Sequence, residues 1–239
     1  MNFIKFPEIE QFRHVIDDIA RSSRYRGKDG NGKPIYDHTA PLPTITFRGT
    51  VKLHGTNAGV CYNKAKGVWA QSRNRIITVG DDNAGFATFV KPLEAVFTEM
   101  AQSVKCDFDA GDTVAIFGEW CGQGIMKNVG ICKLPKMFVV FAALVSPKAD
   151  AGHRWLTEAE LAPLKSPENK VFNIYDYETF TIDIDFNKPE LSQPQLTALT
   201  EQVERQCPVA MKHGKTGIGE GIVWTAVGYT INVPRFKVG

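Results

Sequence analysis

"VKLHGTNAGV", residues 51–60, sets a lysine two positions before a His-Gly-Thr-Asn run. The residues leading into it alternate. Ile45, Phe47, Gly49 and Val51 fall on one side, a period of two that specifies a half-buried β-strand. Lys52 therefore faces away from Val51, at the strand's end, where a lysine is ordinarily a solvated cation. The next five residues change that reading. Gly55 allows a tight turn or a close approach of ligand to backbone, and Thr56 and Asn57 add short hydrogen-bonding groups beside it. A lysine nucleophile acts only as the free amine, and an ordinary lysine has a pKa of about 10.4. It needs a cationic neighbourhood or a bound metal to favour the neutral form, and an electrophile within reach. Arg48, Arg73, Arg75, Arg235 and Lys237 are candidates for that neighbourhood.

Outward from this strand, Ile9, Phe12, Ile16 and Ile19 recur at helical spacing and predict an amphipathic helix over about Pro7 to Ser22. Residues 25–43, rich in Gly, Pro and Asp, read as an exposed loop. Short strands are expected at "AGVCYN" and "GVWAQSR", and a helix over about 91–104. "DTVAIFGEW" and "MFVVFAALV" read as interior strands, and "ETFTIDIDF" alternates as a sheet face wet on one side. A helix at "QPQLTALTEQVERQ" and two strands in "GIVWTAVGYTINVPRF" close the chain. With no repeat or low-complexity linker, the pattern reads as one α+β domain of mostly antiparallel sheet flanked by helices.

Composition narrows the function classes. The chain has 239 residues, 43% hydrophobic and 23% charged, which is sufficient for a globular core. A net charge of +2 gives no global polyanion-binding signature, so any such contact must be a local patch. The five cysteines include no C-x-x-C pair and the histidines are scattered, against a disulfide framework or structural zinc and in favour of a reducing cytosol. No apolar run approaches the ~20 residues of a membrane span. "MNFIKFPEIE" has no signal-peptide core, so a cytoplasmic or intracellular location is expected. "GKT" at 214–216 suggests a phosphate loop, but Val209 stands where its first glycine would be, so residues 214–221 read as a Gly-rich connection. No Ser-His-Asp or Cys-His set can be assigned from residue order.

Several strand ends carry polar residues suited to nucleotide chemistry. Arg73 in "QSRN" could clamp a phosphate with its planar fork. Glu119, closing an apolar strand before "CGQG", would suit a ribose hydroxyl or a metal. Phe138 and Phe141 in "FVVF" fall on opposite faces of a regular strand, and either could stack on a base. Glu220 in "GEGIVW" is a second carboxylate for Mg²⁺. Arg235 and Lys237 in "PRFK" share one face by period two. Each has a plainer reading as solvated or core residue.

Taken in this order, the segments resemble the covalent nucleotidyltransferase superfamily of ATP-dependent ligases and capping enzymes, and most closely the RNA ligase 2 family. Lys52-Leu53-His54-Gly55-Thr56-Asn57 matches that family's nucleophile motif, with His54 where DNA ligases usually have aspartate, and residues 117–132 resemble its third motif and downstream stretch. The resemblance runs from about Arg48 to Lys237. It implies a ligase adenylation fold over residues 1–239, with the family's C-terminal RNA-engaging domain absent from the chain. Lys52 would attack the α-phosphate of ATP and hold AMP as a phosphoramidate, with Leu53 and Asn57 in the nucleotide site. Arg73 would contact phosphate, Glu119 the ribose and Phe141 the adenine. Glu220, with Asn57 acting indirectly, would serve Mg²⁺ or Mn²⁺, and Lys237 with Arg235 would neutralise the phosphates. The AMP would pass to a 5′-phosphorylated RNA end, nicked or base-paired, for sealing to a 3′-hydroxyl by a monomeric enzyme. Three positions depart from the family pattern. Arg235 replaces a lysine, Ala142 replaces an acidic residue, and "EGIVWTAVG" lacks the lysine usual shortly after the glutamate. A ligase preferring DNA or mixed ends, and a non-catalytic nucleotide- or RNA-binding module, stay open as alternatives.

Overall fold

The computed structural model describes residues 1–149 and 152–239. In chain order the elements are β1 (Glu10–Gln11), α1 (Phe12–Arg24), β2 (Tyr25–Lys28), β3 (Pro34–Tyr36), β4 (Thr44–Val51), β5 (Thr56–Asn63), β6 (Gly67–Ser72) and β7 (Ile76–Ile77). There follow α2 (Phe86–Val90), α3 (Glu94–Gln102), β8 (Thr113–Cys121), β9 (Met137–Ser146), β10 (Arg154–Trp155), α4 (Glu158–Leu161) and β11 (Val171–Asn173). The last are β12 (Thr179–Asp185), α5 (Gln193–Arg205), α6 (Pro208–Lys212), β13 (Ile222–Ala226) and β14 (Arg235–Val238). Among the described residues no helix is long and apolar enough to cross a membrane.

Two sheets carry the architecture. One has five strands in the order β1-β14-β13-β4-β12, and the other runs β10-β9-β8-β5-β6-β7 with β11 also on β9. Nearly all pairs are antiparallel; β1 on β14 and β11 on β9 are parallel. The α+β reading with antiparallel sheets holds. Alternation decides which face each strand buries. In the five-stranded sheet Ile45, Phe47, Val51, Ile222, Trp224 and Phe236 enter a core closed by Val15 and Ile19 of α1 and Leu196 and Val203 of α5. In the second sheet Val60, Ile116, Phe138 and Val140 pack against Phe86 of α2 and Phe97 of α3. Phe117, Leu144 and Trp155 form a third cluster with Ile4 and Phe6 of the N-terminus.

Three expectations shift. The first helix begins at Phe12, not near Pro7, because residues 4–11 are held extended by tertiary partners. The Ile4 amide and carbonyl bond the buried Gln71 side chain, and β1 pairs in parallel with Phe236–Lys237. The expected loop contains a hairpin, β2 with β3. Its turn is closed by the Asp29 carboxylate, which accepts from the amides of Asn31 and Lys33 at 2.8 Å each. The helix expected over 91–104 is segmented around Pro92, which lacks an amide proton for a continuous ladder.

A bulge in the β8–β9 ladder matters for the site. Phe117 pairs with Ala142 but Gly118 pairs with Val140, which leaves Phe141 as the extra residue. Val140 and Ala143 still face the α3 side, while Phe141 and Ala142 both face the open side.

The N-terminal strap hangs on one side chain. Replacing Gln71 by Met, similar in volume, leaves the buried Ile4 amide and carbonyl without partners. Urea denaturation is expected to show a loss of about 2–4 kcal/mol, and limited proteolysis a new cleavage before Phe12.

Candidate active site

Lys52 follows the last residue of β4, and its amide donates to the Gly221 carbonyl at 2.9 Å, joining the two ends of the central ladder. Gly221 has φ +123°, and a Cβ there would collide with the Val238 carbonyl oxygen, so only glycine fits this junction. The junction sets Glu220 against Lys52. The Lys52 ammonium is ion-paired with Glu220 Oε1, and His54 Nδ1 lies 3.3 Å from Glu220 Oε2. One carboxylate thus bridges the lysine and the histidine of a single tripeptide.

Glu119 approaches from the second sheet. It pairs in register with Asn57, and its Oε1 accepts the Gly55 amide at 3.0 Å. A Cβ on residue 55 would collide with the Trp120 carbonyl oxygen, which accounts for the glycine. Burial pushes the Glu119 carboxyl up to about 8; the Gly55 amide, Lys52 and Arg73 oppose the rise, and the charge of Glu220 adds to it. At neutral pH it is largely a neutral acid, able both to donate and to accept.

The remaining walls complete a cleft of about 460 Å³, within the range of small-molecule sites. Phe141 lines it from the bulge, edge-on to Phe6 with ring centroids 5.2 Å apart. Arg73 lines it too and reaches Glu8 at 3.5 Å. Arg235 lies 4.2 Å above the Trp155 ring, and burial lowers its pKa to about 10, leaving it a cation. Lys237 is exposed beside it on β14. Among the described residues neither Arg235 nor Lys237 has an ion-pair partner. Leu53 lines the cleft, but its side chain packs into the core with Val51 and Ile222.

Lys52, Leu53, Asn57, Arg73, Glu119, Phe141, Glu220, Arg235 and Lys237 thus all line one cleft. Phe138 is buried in the α3 core and takes no part, and Arg75 is paired with Asp81 outside the lining. Residues 6–9, Thr50, Tyr175 and Thr225 were not foreseen there. The first set had no local signal, because its placement depends on Gln71 and β14. Thr225 was findable, since it shares the cleft-facing parity of Val223 on β13.

No group of three or more His, Cys, Asp or Glu side chains converges as a metal cage among the described residues. Glu220, with Glu119 and Asn57 nearby, is instead a sparse oxygen set. Mg²⁺ commonly binds in that way, through one or two carboxylates with waters and substrate phosphates filling the remaining positions. The residues fit such an ion.

The Glu119 shift has a stability consequence. Its folded pKa lies above the unfolded value, so the folded state loses stability as pH rises from about 4.5 through about 8, where the buried group must ionise. Glu119→Gln removes that ionisation. Thermal melts are expected to show the variant gaining on the parent across this window, most above pH 8, and no gain at pH 4.5.

Residues 45–238 match the RNA ligase family. No curated protein matches the chain. Among solved structures, Naegleria gruberi RNA ligase with PPi has a TM-score of 0.59 and 19% identity, covering 100% of this chain and 56% of that one. A lysine-to-alanine mutant of that ligase with ATP and Mn gives 0.58 at 18% identity, and a lysine-to-methionine mutant with AMP and Mn gives 0.59 at 18%; both cover 100% of this chain and 56% of theirs. At such identity the likeness is one of fold, and the chain spans little more than half the length of these structures. The fold is that of an RNA ligase nucleotidyltransferase domain. By the match over residues 45–238, the chain belongs to the RNA ligase family.

Proposed function

We propose that the chain is an ATP-dependent RNA ligase, or the adenylyltransferase unit of one, and that Lys52 is its nucleophile. The observation that supports this most is the contact of Lys52 with Glu220 in a cleft that also holds three further cations, Arg73, Arg235 and Lys237. Lysine, carboxylate and anion-binding cations are what covalent nucleotidyl transfer requires.

In the first step Lys52 Nζ attacks the α-phosphorus of ATP, the bond to the β-phosphate oxygen breaks, and pyrophosphate leaves. Glu220 Oε1, which accepts a hydrogen bond from Nζ, is placed to take the ammonium proton. Phe141 stacks on the adenine, Glu119 meets the ribose hydroxyls, and Arg73, Arg235 and Lys237 offset charge on the phosphates. Leu53 contributes through its backbone at the cleft base. Glu220, with Asn57 nearby, would hold a Mg²⁺ or Mn²⁺ ion, which when bound would supply further charge neutralisation. In the second step a 5′-phosphate oxygen of RNA attacks the AMP phosphorus, the P–N bond breaks and Lys52 regains its proton. In the third a 3′-hydroxyl attacks the 5′-phosphate and AMP leaves, which forms the phosphodiester. The RNA ends are nicked or base-paired, and the enzyme works as a cytoplasmic monomer.

Incubation with ATP labelled at the α-phosphate and a divalent ion tests the reading. Label is expected on the denatured protein, acid-labile and absent in Lys52→Ala. No adduct at any metal or pH would leave a nucleotide-binding module instead, and sealing of nicked DNA but not RNA would reassign the substrate.

A further inference from the structure

The registers of the five-stranded sheet arrange the positions opposite its core in rows, of which Thr50, Val223, Thr225, Arg235 and Lys237 line the cleft. Thr181, Arg48, Thr225 and Arg235 stand side by side on β12, β4, β13 and β14. Thr179, Thr50, Val223 and Lys237 form the next row, toward Lys52. Rows two residues apart along a strand are separated by about 7 Å. Starting at Lys52, the face therefore presents first Lys237 and then a row with an arginine on each side of Thr225.

Within Ile222–Ala226 only Val223 and Thr225 face the cleft, because Ile222, Trp224 and Ala226 enter the core. The lysine that this family usually carries shortly after the glutamate is missing there. Thr225 is small, and arginine arms from the strands on either side can converge over it. The steps described above leave Arg48 unused. It is half-buried, with Nε donating to Glu158 Oε2 at 3.1 Å and Nη1 donating to Thr181 Oγ1 at 2.7 Å. Glu158 is itself 41% exposed and free to turn into solvent. Arg235 and Thr225 line the cleft beside Tyr175, and the Arg48 side chain, held by Glu158 and Thr181, lies just outside that lining, one strand over from Thr225.

We propose that Arg48 and Arg235, flanking Thr225, form the subsite for the β- and γ-phosphates of ATP and so for departing pyrophosphate, in place of the missing lysine. This rests on the chain being a ligase. As the α–β bridge breaks, negative charge grows on the leaving group, and guanidinium forks can hold its oxygens in paired hydrogen bonds. Phosphate displaces Glu158 from Arg48. The subsite serves the first step alone, since no pyrophosphate takes part in sealing.

The test uses a Lys52→Ala background, in which ATP binds without turnover, and calorimetric titration with ATP, inorganic pyrophosphate and AMP. Adding Arg48→Ala is expected to weaken ATP and pyrophosphate about tenfold or more and leave AMP within twofold. Adding Thr225→Lys as well is expected to restore ATP affinity. With Lys52 intact, Arg48→Ala should raise the KM for ATP in adduct formation and leave the sealing of pre-adenylylated RNA unchanged. Unchanged ATP affinity, equal weakening of AMP, or no rescue by Thr225→Lys would overturn the proposal. A loss confined to sealing would do the same, and would place an RNA phosphate at Arg48. Should Arg48→Ala melt early, Arg48→Gln keeps the arm and removes the charge, with the same outcomes expected. If the parent chain forms no adduct, the ligase reading fails on its own; if it does and the arginine variants behave as the parent, only this subsite fails.

Discussion

The antiparallel pairing of β4 with β13 is the constraint on which the site depends. It joins Lys52 to Glu220 across 168 residues and puts Arg48, Thr50, Val223 and Thr225 on one face. A slip of one residue would turn every one of these side chains into the core. What prevents the slip is hydrophobic. Phe47, Trp224 and Phe236 are fully buried on the other face, each worth about 1.5–3 kcal/mol of burial. A partly exposed ion pair such as Lys52–Glu220 contributes roughly 0–1 kcal/mol. The fold therefore holds the pair in place, and the pair does not hold the fold.

The second sheet meets this face from across the cleft, and the bulge at Phe141 fits the two together. Glu119 and Asn57 sit opposite each other on neighbouring strands, and the absent side chain at Gly55 lets the loop after Lys52 close onto Glu119. Two carboxylates then lie near each other in a half-buried site. One is paired with a lysine and the other is pushed toward neutrality by burial. That division of protonation states lets one cleft hold both a partner for the amine and a donor for hydroxyl groups.

A common pattern links the cations. Lys52 rests on Glu220, Arg73 on Glu8 and Arg48 on Glu158, while Arg235 stacks on Trp155. Three of the four are thus held by a carboxylate. Such contacts fix long side chains before the ligand arrives and reduce the ordering entropy that binding would otherwise cost. The N-terminal strap belongs to this arrangement, because it carries Glu8 to Arg73 and Phe6 to Phe141.

The cleft-lining residues were legible because most lie in short runs whose local pattern survives folding. The nucleophile motif follows an alternating strand, Glu119 ends an apolar one, and Arg235 and Lys237 share a face by period two. The strands themselves were legible for the same reason, since each buries alternate residues. Misplaced elements were those whose form is set from a distance. Ile9 fits a helical period, yet Gln71 and β14 draw its segment straight. Residues 25–36 are polar enough for a loop, but the Asp29 turn pairs them as a hairpin. The residues that line the cleft, Lys52 among them, could be named from the chain. Which cations stand together, which carboxylate touches Lys52, and the placing of Arg48 beside Thr225 and Arg235 were decided only by strand register, because pairing between distant segments leaves no trace in local periodicity.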